Sequence, residues 1–132
     1  DQLMRNAMAA MGAGDYAAAV RGFAAGVAAD PERADIWLEL SRAASAYRPG
    51  DSSVARGVRS VAVSAAVNAY GTSRTRTLRA DALAALGTAF VATENWRPAL
   101  DSWRASLELK ENPGLRATYA DLRTRKGFRV VD

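Results

Sequence analysis

The chain has 132 residues with no cysteine and no histidine, which allows one domain with a modest core and excludes thiol nucleophiles, imidazole bases, disulfides and the usual zinc ligands. Apolar residues make up 49% and alanine alone contributes 30, so the chain is expected to fold, and to do so as closely packed helices. Its net charge of +4 comes from 16 arginines and 2 lysines against 14 acidic residues, and the excess sits in residues 51–80, which hold five basic side chains and one acidic, a local patch rather than the broad footprint of a nucleic-acid binder.

No apolar run approaches the roughly 18 residues that a membrane span needs. Asp1–Met4 already read as helix and the chain closes on Arg129-Val130-Val131-Asp132, so it is expected to be a piece of a longer protein.

Residues 2–12 carry Leu3, Ala7 and Ala10 on one helical face. Gly14 suits the left-handed end of that helix and Asp15 the cap of the next, which runs from Tyr16 to Ala29. Asp30-Pro31 reads as an N-cap with proline in the following first turn. A third helix carries Trp37, Leu40, Ser41 and Ala44. Arg48-Pro49-Gly50-Asp51 marks a loop, and a fourth helix from about Val54 to Tyr70 bears Ala62, Ala66 and Ala69. Gly71-Thr72-Ser73 is expected to end it and cap the next, from about Arg74 to Ala92. Thr93–Asn95 break the pattern, a sixth helix begins at Trp96, and Asn112-Pro113 open a seventh that runs to Lys126 before Gly127 stops it. Phe128, Val130 and Val131 alternate as a strand would and are assigned to a tail or a following domain, residues 128–132.

These helices repeat. Leu83, Leu86, Gly87 and Phe90 have the W-x2-L-G-x2-Y spacing of the first helix of a tetratricopeptide repeat, with Leu for Trp and Phe for Tyr; Trp96, Ala99, Trp103 and Ser106 fall at its second-helix positions. Tyr16, Ala19, Phe23, Gly26 and Pro31 match the same second-helix pattern. Trp37 follows Leu3 by 34 residues, one period of this repeat, whereas Leu83 follows Trp37 by 46, so about twelve extra residues lengthen the loop and second helix of repeat two. The expected fold is therefore all-α: a tetratricopeptide-like, right-handed solenoid over residues 1–127. It has three helix pairs (about 2–33, 34–71 and 74–111) and a capping helix, 113–126, whose Leu115, Tyr119 and Leu122 cover the open end.

Nothing in this pattern points to catalysis. The acidic residues are scattered, Ser41, Ser45, Ser60 and Ser64 lie in helices with no histidine to activate them, and Gly12-Ala13-Gly14 is a helix-end turn rather than a phosphate loop. No cofactor or metal is expected. Resemblance to tetratricopeptide folds implies that the first helices line a groove, here presenting Met4, Met8 and Met11, then Asp35, Leu38, Arg42 and Ser45, then Asp81, Thr88 and Val91. The methionines read either as one adaptable apolar stripe or as packing against preceding chain. The Lys and Asn residues of the two-carboxylate clamp in chaperone-binding members are replaced here, which disfavours capture of a peptide C-terminus. Arg56, Arg59, Arg74, Arg76 and Arg79 form the candidate basic patch, read as a solvated face, an acidic-protein contact or a weak nucleic-acid contact; only Tyr70 lies near as a stacking platform.

The C-terminal third, Trp96-Arg97-Pro98-Ala99-Leu100-Asp101-Ser102-Trp103-Arg104-Ala105-Ser106-Leu107, with Glu111-Asn112-Pro113, Leu115–Tyr119, Leu122-Arg123 and residues 127–132, resembles the helical N-terminal region of bacterial alpha-2-macroglobulin-like proteins. Asp15–Val20 and Ala34–Leu40 agree with it. The resemblance implies a periplasmic or cell-envelope protease inhibitor whose bait region and Cys–Gln thioester lie outside this segment, leaving it a spacer or docking role with protein partners or other domains of its parent chain. An independent peptide-binding adaptor is the alternative of a different class, and Arg-mediated nucleic-acid binding a minor third.

Overall fold

Short polar segments divide the described residues, 1–126, into seven helices in the computed structural model: α1 (Gln2–Gly12), α2 (Tyr16–Ala29), α3 (Ala34–Ala46), α4 (Ser52–Thr72), α5 (Arg76–Ala92), α6 (Trp96–Leu109) and α7 (Pro113–Arg125). No strand occurs among the described residues. Gly127 and the strand-like tail 128–132 lie outside them.

Most helix starts are set by a side chain that accepts a backbone amide left over by the first turn. Asp1 accepts from Leu3, Asp15 from Ala18, Asp51 from Ser53 and Val54, Thr75 from Leu78, and Asn112 from Leu115 with Pro113 behind it. Gly14 takes φ +78° between α1 and α2, a conformation that costs glycine little.

Two expected caps move. Asp30 ends α2 by donating its amide to Gly26 and does not start α3, whose N-cap is Arg33 with no side-chain cap bond. Pro31 stays outside the helix because its carbonyl receives Trp37 Nε1 at 2.8 Å. Gly71 lies within α4, which continues to Thr72, and Thr75 rather than Gly71–Ser73 caps α5.

The helices stack in chain order, each on the next, and α3 also packs directly on α5. Within each pair the backbones approach at one small residue. In α1 it is Ala7, opposite Gly22 of α2, where a Cβ would lie 2.7 Å from the Ala7 Cβ. In α3 it is Ser41, fully buried, whose Oγ donates to the Ala62 carbonyl of α4 at 2.7 Å. In α5 it is Gly87, which lies against the Trp103 ring of α6; a Cβ there would sit 2.2 Å from Trp103 Cδ1. Trp103 is 4% exposed and its Nε1 donates to the Ala84 carbonyl at 3.0 Å, while Ser106 Oγ donates to Ala80 at 2.7 Å. Those two bonds satisfy the buried Trp103 and Ser106 donors and fix the register of α6 on α5.

Beyond these contacts the core divides into local clusters, as stacked repeats require. Phe23, Val27, Ile36 and Leu40 fill the first, with Met4 and Met11 against them. Leu3, expected on that face, is 40% exposed instead. Leu100, Trp103 and Leu122 fill the last, with Leu115 and Tyr119 of α7 closing the open end.

Glycine-to-alanine substitutions are expected to act with opposite signs at two positions. Gly57, on α4 with nothing near its missing Cβ, gains about 1 kcal/mol of helix propensity on becoming alanine. Gly87→Ala collides with a ring held on both sides and loses about 1–3 kcal/mol, and Trp103→Ala loses about 3–5 kcal/mol. Urea midpoints of the three variants check this; a Gly87→Ala variant as stable as Gly57→Ala would remove Trp103 from the seam.

Candidate functional site

α3, α5 and α7 leave a groove between them. Its wider part, about 540 Å³, is bordered by Ser45, Arg48, Arg59, Thr88, Val91 to Glu94 and Trp96; the narrower, about 270 Å³, by Arg42, Asp81, Ala85 and Leu115. Ser45 and Thr88 border both, so the two form one continuous trough. Arg48 of the loop after α3 and Arg59 of α4 stand on the wall of the wider part, and Tyr47, Pro49 and Ala55 adjoin these two in a smaller neighbouring hollow.

Two of the five charged side chains that border this trough, Arg42 and Asp81, are held in ion pairs. Arg42 bonds Glu39 at 2.7 Å, and Lys110 of the α6–α7 connection bonds Asp81 at 2.7 Å. Arg48 donates through one terminal nitrogen to the carbonyls of Ser45 and, at 3.2 Å, Tyr47. Arg59 is half-buried and has no hydrogen-bond or ion-pair partner among the described residues. Of the hydroxyls, Thr88 donates to Ala84 and Thr93 to Phe90, each satisfied by its own helix. Ser45 Oγ is buried and has no partner among the described residues.

Five of the groove positions expected from sequence, Arg42, Ser45, Asp81, Thr88 and Val91, line this trough. Others do not. Leu38 is 5% exposed and packs with Ala66, Ala69, Ala82 and Ala85, because α3 is covered by α4 as well as α5. Asp35 faces away, bonded to Arg33 at 2.8 Å. The methionines do not form one stripe: Met4 and Met11 pack on the first core cluster, and Met8, 49% exposed, points elsewhere. Arg48, Trp96 and Leu115 were not among the candidates. The loop at residues 47–53 was the signal that could have found Arg48.

The candidate basic patch is not one surface. Arg56 and Arg59 stand in the first half of α4, while Arg74, Arg76 and Arg79 come after its end at Thr72, which lies about 20–24 Å farther along the helix axis at 1.5 Å per residue. Arg76 is occupied in holding α6, its Nε donating to the Leu109 carbonyl at 2.7 Å, where a cation complements the helix C-terminus. Arg74 adjoins Asp35 and Glu32 in a separate hollow. Among the described residues no group of three or more His, Cys, Asp or Glu could hold a metal ion, and no helix is long and apolar enough to cross a membrane.

No protein-family model matches the chain and no curated protein sequence matches it significantly. Among solved structures, the N-terminal domain of stress-induced protein-1 (STI-1) from C. elegans superposes with a TM-score of 0.67 at 17% identity, over 92% of each chain. The fold is tetratricopeptide-like. Identity that low carries the fold alone, a right-handed solenoid of three helix pairs with a capping helix. None of these likenesses bears on a macroglobulin-like parent.

Three carboxylates have pKa values below the ordinary range. Asp35 is lowered by its hydrogen bond from Arg33, Asp51 by the Ser53 hydroxyl and the first amides of α4, and Glu111 by Arg116. A carboxylate whose folded pKa lies below its unfolded one stabilises the fold above the unfolded value, near pH 4, and loses that contribution as pH falls through the folded value. Stability is therefore expected to fall below about pH 4.5. Asp51→Asn, which keeps a capping side chain but no charge, should lose less between pH 6 and pH 3 than the parent in urea denaturation; an equal loss removes Asp51 from the account.

Proposed function

We propose that this domain is a non-catalytic protein-interaction module whose α3–α5–α7 trough receives an extended segment of a partner polypeptide. The observation that carries the reading is the trough itself: two joined hollows running past Ser45 and Thr88, bordered by apolar Val91, Ala85 and Leu115 and by side chains able to bond a backbone. An elongated, open, mixed surface suits a chain better than a compact small molecule, which is held in a more enclosed and more apolar site. The tetratricopeptide-like fold supports the same reading, since such solenoids present extended surfaces. The scattered arginines do not favour nucleic acid, because charge without stacking platforms supplies a screened, sequence-blind attraction.

The finer reading, that the module is a spacer or docking element of a bacterial alpha-2-macroglobulin-like inhibitor in the periplasm or cell envelope, is supported by the sequence resemblance alone. Its partner would then be another domain of the same parent chain or a protein met outside the cytoplasm.

Selection from a displayed random-peptide library against the chain tests the groove. Peptides obtained this way are expected to bind at least tenfold more weakly to Thr88→Trp, in which an exposed position between the two hollows gains a bulky ring, and unchanged to Val67→Ser, on exposed α4 surface outside the trough. Peptides indifferent to Thr88→Trp would move the binding surface elsewhere.

A further inference from the structure

We infer that the wider, loop-side part of the trough is a carboxylate subsite, in which Arg59 and Arg48, with the Ser45 hydroxyl beside them, receive an Asp or Glu side chain of the bound segment. This rests on the peptide-groove reading and adds the partner's chemistry.

Around this hollow Arg59 and the Ser45 hydroxyl have no partner among the described residues, and Arg48 keeps donors to spare. Arg59 is half-buried without a partner among the described residues, whereas Arg42 has Glu39 and Lys110 has Asp81. A partly desolvated guanidinium gains most from an opposite charge when it has none of its own. Arg48 is held in place by the Ser45 and Tyr47 carbonyls through a single nitrogen, so its other donors remain available in a fixed orientation. That preorganisation lowers the entropy lost on binding. Ser45 is 7% exposed and its Oγ has no partner among the described residues, while Thr88 and Thr93 across the hollow have spent their hydroxyls on their own backbone. A buried hydroxyl without a partner costs free energy that an incoming acceptor returns.

Charge decides the class of acceptor. Arg48 and Arg59 share the hollow with Glu94, leaving a surplus of one positive charge. A carboxylate carries one negative charge and matches the planar donor fork of arginine. A phosphate monoester would bring nearly two, against the Glu94 carboxylate on the same wall. The site takes Arg48 from the loop that follows α3 and Arg59 from the first half of α4.

The test uses library peptides fused through their C-termini, so that only side chains can supply a carboxylate. The pool selected on the unmodified chain should be enriched in Asp or Glu at one position. Changing that residue to Gln or Asn should weaken binding about tenfold, the weight of one hydrogen bond to a charged group. Arg59→Gln should cost about the same with the acidic peptide and nothing further with the amide peptide, the non-additivity of a direct pair. Ser45→Ala should weaken the acidic peptide several-fold while leaving the melting temperature unchanged or higher, which a merely structural serine would not do. Groove binders with no acidic position, or an amide penalty undiminished in Arg59→Gln, would overturn the subsite and leave the groove standing. A phosphoserine peptide binding more than tenfold tighter than its Glu counterpart would overturn the carboxylate assignment. Failure to obtain any Thr88→Trp-sensitive peptide would sink the groove reading and this inference with it.

Discussion

Everything in this molecule depends on how closely the two helices of each pair approach. Ala7, Ser41 and Gly87 hold the same place in successive pairs, and at each the partner backbone or ring comes in where a larger side chain would stand. The three solutions differ chemically. One is methyl against glycine, one a hydroxyl bonded to a facing carbonyl, and one a bare Cα beneath an indole. All give a short interaxial distance, and that distance explains why alanine fills so much of the interior: Ala19, Ala43, Ala62, Ala66, Ala80, Ala89 and Ala99 are essentially without exposure. Where backbones run this close, dispersion from methyl groups and backbone atoms replaces the bulk of leucine cores.

Polar groups fall into two populations, and the difference separates scaffold from surface. Ser41, Ser106 and Trp103 each donate across a helix pair to a facing carbonyl. They have nothing left to offer a partner. Ser45, one turn beyond Ser41 on α3, and Arg59, early on α4, have no such engagement. Both border the hollow beside the loop that follows α3, and α4 beyond that loop runs for 21 residues.

Much of the fold was legible because it is written in spacing. Leu83 to Ser106 specify a helix pair by small and aromatic residues at fixed offsets, and the 34-residue step from Leu3 to Trp37 sets the period. What sequence could not supply was the rotation of each helix about its axis. At 100° per residue, Leu38 turns from groove to core and Asp35 from groove to a local pair with Arg33 once α4 and α5 both cover α3. Neighbourhood along the chain also misled: Arg59 and Arg74 look like one patch in sequence but stand at opposite ends of a 21-residue helix. Gly71 was read as a helix end and Pro31 as the first turn of α3 from residue type, yet Gly71 continues its helix, and Pro31 stays outside α3 with its carbonyl bonded by an indole six residues on that no local rule anticipates.

The three tryptophans occupy three different optical environments. Trp103 is dry and hydrogen-bonded to a carbonyl, Trp37 is half-buried and anchored to Pro31, and Trp96 borders the trough with the Lys126 ammonium 4.1 Å above its ring. Emission from the first reports the integrity of the α5–α6 seam. Emission from Trp96 answers to what enters the hollow and to the last turn of α7 at once, so the chain carries its own fluorophore at the junction between its binding surface and its terminal cap.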